Sequence, residues 1–360
     1  MSEKGGSSNS YYTTQFIKHF ENFTIIKFTL YHINILNYRK EIKLSLFLSE
    51  KDIASLLSMG EAIQAIEYAL EELGENNAQN KTRERVSLSE TTLNTMSASL
   101  LSYDIAGAKN YTFTTASNTG PVAYFLLFSG KGELLSIMEA NELGRIRTGA
   151  TTGIATKYLA PKKAKNAALL GTGFQAETQL EAMCEVKNLE YINIWSRKNS
   201  SLYMFCDKMQ PKIKATLKPI ENIKETIDKV SIITTSTSSP SPILHGDYID
   251  NGTHINAIGS NRAKERELDK IAIDKASCII VDSINQAKKE SGDLILANNK
   301  QKTIWNRTYN LSDLITSKIK GRVHDDEITL FKSNGLAIED LAVAYLAYNK
   351  ALKLNIGTAI

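Results

Sequence analysis

The stretch Gly171-Thr172-Gly173-Phe174-Gln175-Ala176 fits the pattern G-x-G-x-x-A and follows four apolar residues, Ala167 to Leu170. A first glycine permits a tight turn, a second lets a pyrophosphate approach the backbone, and a small third residue lets helix pack on strand. Free amides and the dipole of the following helix then hold the phosphates. Alone the pattern is weak, because paired glycines after a strand can simply make a turn. Its setting, at the end of a strand and the start of a helix, is what points to a dinucleotide. Phe174 and Gln175 lie inside the turn and count as cofactor-binding with it.

The next strand-like run ends in "NIWSRKNSS". An acid at this distance would grip the ribose 2′-hydroxyl of NAD. Ser196, Arg197 and Lys198 stand there instead, and a hydroxyl beside cations suits a 2′-phosphate. NADP(H) is therefore favoured. NAD(H) stays open, since Arg197 and Lys198 are also what a solvated strand end looks like.

A nicotinamide needs a partner that gives or takes hydride. The five histidines form no cluster, and His254, on a predicted buried strand, reads as a core residue rather than a catalyst. Three cations are more suggestive: Arg85 opening "RVSLSE", Lys109 in "AGAKNYT" and Arg147 in "RIRTGATTG". Singly, each is more often a surface charge. Together they could clamp a carboxylate, with arginine supplying a bidentate fork.

These groups must be carried on a fold, and the chain shows two grammars. From Leu46, Ser49 is a candidate cap for a helical run, and residues 86 to 138 give strand-like runs joined by a Gly-rich hairpin at "SGKGE". This predicts a mainly antiparallel α+β unit. "NELGRIRTGATTGIATKYLA" returns to helical spacing and ends at Pro161. Beyond it, "NAALLG", "YINIWS", "SIITTS", "HINAIG" and "CIIVDS" alternate with helical segments. Such alternation predicts an α/β, Rossmann-type doubly wound parallel sheet. From about Asp326 a long apolar-faced helix is expected to pack back on the first unit. The expected division is an N-terminal extension (1–45), a substrate-binding and dimerisation domain (46–160 with 327–360) and a dinucleotide domain (161–326).

Composition narrows the partners. With 360 residues, 42% of them hydrophobic, the chain can bury a large core, and a formal charge of +4 scattered among acids argues against a nucleic-acid surface. Three distant cysteines, Cys184, Cys206 and Cys278, offer no disulfide framework or zinc motif and suit a reducing, cytoplasmic setting. No run is long and apolar enough to span a membrane. The polar start, "MSEKGGSSNS", reads as disordered, and "FTIIKFTLYHINIL" at 23–36 as strand rather than signal peptide.

"GRIRTGATTGIATKYLA", "ALLGTGFQAETQLEA", "THINAIGS" and "FKSNGLAIEDLAVAYL", in this order, resemble the ornithine cyclodeaminase and mu-crystallin family over about residues 46 to 360. The resemblance implies a homodimer in which a substrate and dimerisation domain flanks a central Rossmann domain. It implies cyclodeaminase, alanine dehydrogenase or ketimine and imine reductase activity on a small amino or imino acid. By motif, Arg85, Lys109 and Arg147 fall where relatives bind the substrate carboxylate and orient the reacting carbon. Gly171, Gly173 and Ala176 take the pyrophosphate turn, while Thr148, Ser236 and the loop from Ser333 to Gly335 fall where relatives approach the cofactor. The "WSR" segment is more like the NADPH-using reductases.

One departure separates the activities. Where cyclodeaminases and alanine dehydrogenases of the family carry an Asp after the strand matching "HINAIG", this chain has Gly259-Ser260-Asn261. An amide accepts no proton at neutral pH but can orient an amine or a water. Cyclodeamination needs the amine deprotonated, whereas reducing a preformed protonated imine needs hydride and orientation. The expectation is an α-imino carboxylate reductase with Lys109 and Asn261 as its catalytic groups. Ornithine cyclodeaminase with bound NAD, an alanine-type dehydrogenase and a low-turnover NADP-binding protein are the alternatives.

Overall fold

The computed structural model describes residues 45–114, 121–298 and 304–360. The expectations for the extension of residues 1 to 45, Ser45 apart, lie outside the described residues. Leu46–Ile360 form one compact unit built on two sheets.

The first sheet contains β1 (Leu46–Leu48), β2 (Ala78–Asn80), β3 (Glu84–Ser87), β4 (Thr91–Leu100), β5 (Ile105–Thr114), β6 (Ala123–Ser129), β7 (Leu134–Glu139) and a last short strand, Thr358–Ala359. Apart from the parallel β1–β7 pair, the ladders are antiparallel. Period-2 alternation buries Met96, Ala98 and Leu100 of β4, on the face that packs against the helix Ala337–Leu354. Lateral pairing continues that apolar face as Met96, Lys109, Phe125 and Met138. A single lysine thus interrupts a row of core side chains. The next row along the strands is Arg85, Asn94, Tyr111 and Ala123, so the sheet turns from core to polar within two residues.

The second sheet is parallel throughout, with β8 (Asn166–Leu170), β9 (Tyr191–Trp195), β10 (Thr216–Pro219), β11 (Ile232–Thr235), β12 (His254–Ala257), β13 (Cys278–Val281), β14 (Thr308–Asn310) and β15 (Thr329–Lys332). Their order is β10-β9-β8-β11-β12-β15-β13-β14. Runs such as "IITT" and "CIIV" are buried along their whole length, as strands covered on both faces must be. The chain moves outward from β8 to β10 and then returns to β11 on the other side of β8. That reversal is the topological switch point where such sheets bind ligands.

The tail expected as one helix from Asp326 needs correction. Its first part is β15, and only Ala337–Leu354 is helical. Thr329-Leu330-Phe331 is β-prone and lies between β12 and β13, which supply ladder partners on both sides.

The helix Asn141–Leu159 packs against the helices Met59–Gly74, Ala176–Val186 and Ala337–Leu354 and reaches β12 and β15. It has no side-chain cap of its own. Instead the Glu50 carboxylate accepts from the amides of Asn141 and Glu142 at 2.8 and 2.7 Å. An anion at this end also complements the helix dipole.

Candidate active site

Two cavities, of about 690 and 650 Å³, share Phe113, Phe174 and Gln175 in their walls. The second lies at the switch point. It is lined by Gly171, Thr172, Gly173, Ser196, Arg197, Lys198, Ser236, Thr237 and Gly259, among others. Gly171 has φ +117°, and a Cβ there would collide with the Ser236 carbonyl. The first glycine is therefore used for its backbone and for contact between β8 and β11. A Cβ on Gly173 would meet nothing within 4 Å. The second glycine faces open space, as a pyrophosphate cradle requires. Thr172 donates to Ser196 at 2.9 Å, tying the turn to the end of β9. The buried Gln175 Oε1 has no partner. Ala176 is buried where its helix starts. These residues fit a dinucleotide.

The first cavity is floored by the polar rows of β3, β4 and β5. Lys109 is buried, with Nζ 2.9 Å from Asp340 Oδ1. Its ammonium has room because position 144, on the facing helix, is glycine: a Cβ there would stand 2.6 Å from Nζ. Arg147, one turn on, pairs with Glu339 at 3.0 Å and Asp340 at 3.2 Å. Arg83 is also buried, pairing with Glu290 at 2.5 Å and donating to the Asn334 carbonyl at 2.8 Å. The Tyr111 ring lies 6.0 Å from the Arg83 guanidinium and 5.8 Å from Lys109 Nζ. Arg85 is at the rim, 36% exposed, pairing with Glu290 at 2.9 Å and donating to the Asn261 carbonyl at 3.3 Å.

Burial pushes the Lys109 pKa down, and Arg147 and Arg83 add to that, while Asp340 pulls it back. Burial also works against the charge on Arg147, but the neighbouring carboxyls, the ionised Asp340 foremost, outweigh it and hold the guanidinium protonated. Asp340 is opposed by burial too, yet Lys109 and Arg147 keep it ionised. Glu339 behaves differently: burial and then the neighbouring Asp282 push it up to about 8. Four cationic side chains (Arg83, Arg85, Lys109, Arg147) therefore stand with four carboxyl groups (Glu290, Asp340, Glu339, Asp282), and burial pushes Glu290, Glu339 and Asp282 toward their protonated forms. Arginines held in this way can take up an anion.

The family model for the ornithine cyclodeaminase/mu-crystallin family matches residues 44–355. The chain belongs to that family. It is 36% identical over 230 residues to a Delta(1)-pyrroline-2-carboxylate reductase of Bacillus cereus, covering 64% of this chain and 70% of that protein. The Thermococcus litoralis Delta(1)-pyrroline-2-carboxylate reductase, solved in complex with NADH and L-proline, is similar at a TM-score of 0.83 and 34% identity, covering 88% of this chain and 100% of that one. An archaeal alanine dehydrogenase, solved as a dimer with bound NAD, gives a TM-score of 0.82 at 30% identity over 88% of this chain and 98% of its own.

For this family member, the structure gathers Lys109, Arg147, Arg85 and Asn261 around one cavity. Gly171, Gly173, Phe174, Gln175, Ser196, Arg197 and Ser236 gather at the other. Four expected cofactor residues line neither cavity: Ala176, buried at the start of its helix, and Thr148, Ser333 and Gly335. Thr148 is buried in its helix, its hydroxyl donating to the Gly144 carbonyl at 2.7 Å. Ser333 donates to Asp282 at 3.1 Å, and the Gly335 amide donates to the same carboxylate at 2.6 Å. Gly335 also packs against the Arg147 guanidinium. The Ser333 hydroxyl and the loop's backbone thus hold Asp282 and Arg83, while the buried Asn334 side-chain amide has no partner. His254 is buried and hydrogen-bonded to Thr329 and Asn256, and burial lowers it to about 3, so it is a neutral core histidine.

Arg83 is the chief residue missed. Its signal was present, because Arg83-Glu84-Arg85 at a strand edge places two arginines on one side with a period of two. The carboxylates Glu290, Asp340 and Glu339 carried no local signal. They reach the site only when helices distant in sequence pack against the first sheet.

Proposed function

We propose that this chain is an NADPH-preferring reductase of α-imino carboxylates, of the ketimine or Δ1-pyrroline-2-carboxylate type. The observation that carries this is Lys109, a buried ammonium between Arg83 and Arg147 at a cavity whose other wall offers the amide of Asn261. When bound, the dinucleotide supplies hydride to the imine carbon. Arg147 and Arg83 bind the substrate carboxylate by charge-assisted hydrogen bonds. Lys109 orients the imine and holds a proton near its nitrogen, so that C=N becomes CH–NH with hydride on carbon and a proton on nitrogen. Asn261 orients the nitrogen or a water. Arg85 supports the Asn261 turn from the rim. The first sheet with the helix Ala337–Leu354 serves the substrate, and the parallel sheet serves the cofactor.

The preference for the 2′-phosphate rests on Ser196, Arg197 and Lys198, which line the groove where an acid would favour NAD. NAD(H) is the cofactor of both structural relatives above, so the two dinucleotides must be compared directly. A homodimer is part of the proposal. Val86, Leu93 and Tyr124 are exposed on the first sheet, and the archaeal relative is a dimer. Among the described residues no helix is long and apolar enough to cross a membrane; a cytoplasmic setting is proposed from the cysteine usage.

The likeness to an alanine dehydrogenase supports a second reading, oxidation of a small amino acid. A panel of cyclic imines, keto acids with amines, ornithine and alanine, assayed with both dinucleotides, decides. The reductase reading expects NADPH oxidation with cyclic α-imino acids. Turnover confined to alanine, or to ornithine giving proline and ammonia, contradicts it.

A further inference from the structure

Behind the cofactor groove lies a buried carboxylate that the chemistry above does not use. Glu267 is fully buried, just beyond the turn that carries Asn261. Its Oε1 accepts from the Thr237 amide at 2.7 Å and the Thr237 hydroxyl at 2.6 Å. Its Oε2 accepts from the Thr235 hydroxyl at 2.7 Å and the Gly259 amide at 2.8 Å. Each oxygen thus takes one backbone N–H and one hydroxyl. Thr237 lies beyond the end of β11 and Gly259 beyond the end of β12, and both line the cofactor groove. A second pin follows at once. The buried Lys332 donates to the Ser260 carbonyl at 2.5 Å and pairs with the buried Asp293 at 3.2 Å. Asp293 in turn accepts from the amides of Glu267 and Leu268 at 2.8 and 3.0 Å.

Two consecutive residues, Gly259 and Ser260, are therefore held by buried charged side chains, and the next residue is Asn261 at the substrate cavity. A loop needs no buried ions merely to stay folded, because desolvating them is costly and apolar packing serves stability as well or better. What buried, hydrogen-bonded charges do supply is a single fixed geometry, as the support of a reactive group requires.

We propose that Glu267 is a positioning residue: by fixing Thr237 and Gly259 on one carboxylate it sets the place of Asn261 relative to the cofactor groove. The proposal deepens the imine-reductase reading and rests on it for the identity of the reaction. Glu267→Gln tests it cleanly. Whichever way the amide lies, its NH2 faces one of the two backbone N–H donors, so either Thr237 or Gly259 is released.

The test is a double-mutant cycle of Glu267→Gln with Asn261→Ala on full-length protein, reading kcat and KM for Δ1-pyrroline-2-carboxylate. Amide hydrogen exchange at Thr237 and Gly259, and NADPH binding by fluorescence, are read on the same proteins. Expected is a fall of about tenfold or more in kcat for Glu267→Gln alone. In the Asn261→Ala background the further loss should be under about twofold, and exchange at Gly259 or Thr237 should be faster throughout. Equal losses in both backgrounds would overturn the proposal and leave Glu267 a structural residue. If the wild type reduces no imine, the functional reading fails on its own. Glu267 is then judged by exchange and by NADPH affinity, and unchanged values of both overturn it. Should Glu267→Gln fail to fold, Thr235→Val, which removes the hydroxyl donor to Glu267 Oε2 at nearly constant shape, enters the same cycle and is read by the same outcomes.

Discussion

Lys109 Nζ lies 2.9 Å from Asp340 Oδ1, and a Cβ at position 144 would come within 2.6 Å of the same nitrogen. One strand, one helix end and one glycine thus define where the buried ammonium sits. Lys109→Met should lower kcat/KM for a cyclic α-imino acid roughly 100-fold or more, the usual scale for losing a positioned proton donor. Gly144→Ala should act in the same direction by displacing Nζ, with NADPH affinity unchanged. Steady-state kinetics beside fluorescence titration checks both, and wild-type turnover in Lys109→Met would remove the lysine from the mechanism.

The two arginines of the β3 edge should differ. Arg83 is buried against Glu290 and Tyr111, while Arg85 is at the rim. Losing a buried charge-assisted contact to substrate is worth about 1.5–3 kcal/mol. Arg83→Met should therefore raise KM roughly ten- to a hundredfold, and Arg85→Met only a few-fold. The reverse ranking would restore Arg85 as the carboxylate ligand.

The glycines of the nucleotide turn should separate stability from binding. Gly171→Ala meets both a positive φ and the Ser236 carbonyl. It should destabilise the cofactor-free protein by roughly 1–3 kcal/mol from its backbone conformation alone. Gly173→Ala meets nothing in the protein, so it should leave that melting temperature alone and weaken NADPH and NADH together. Arg197→Ala should weaken NADPH far more than NADH, and equal effects would make Arg197 an ordinary surface charge.

Much of this was legible in the chain. The parallel sheet announced itself because "NAALL", "YINIW", "IITT" and "CIIV" are strands buried on both faces. The turn at Gly171 was readable because backbone constraints select glycine. Lys109 was readable as an odd cation among small residues, but its burial came from lateral pairing with Met96 and Phe125, which only register reveals. Asp340 has no local signal in "AIEDLAVAY", because both of its cationic partners, Lys109 and Arg147, come from a remote strand and helix. The short strand β15 was hidden by the helix that follows it.

Glu339 makes stability depend on pH. Its folded pKa, about 8, lies above the ordinary 4.5, so the folded state binds the extra proton between those values. Its stabilising contribution is complete below 4.5 and is lost as pH rises through about 8. The slope approaches about 1.4 kcal/mol per pH unit at most. Melting temperatures should fall from pH 6 to 9 in the wild type, and Glu339→Gln should flatten that fall. An unchanged slope would show that Glu339 is ionised across the range.

The most direct measurement follows the hydride. Δ1-Pyrroline-2-carboxylate incubated with NADPH deuterated at the transferring C4 position should give proline carrying one deuterium at C2, and Lys109→Met should suppress its formation. Proline without deuterium, or formed only from ornithine with release of ammonia, would contradict the reductase account.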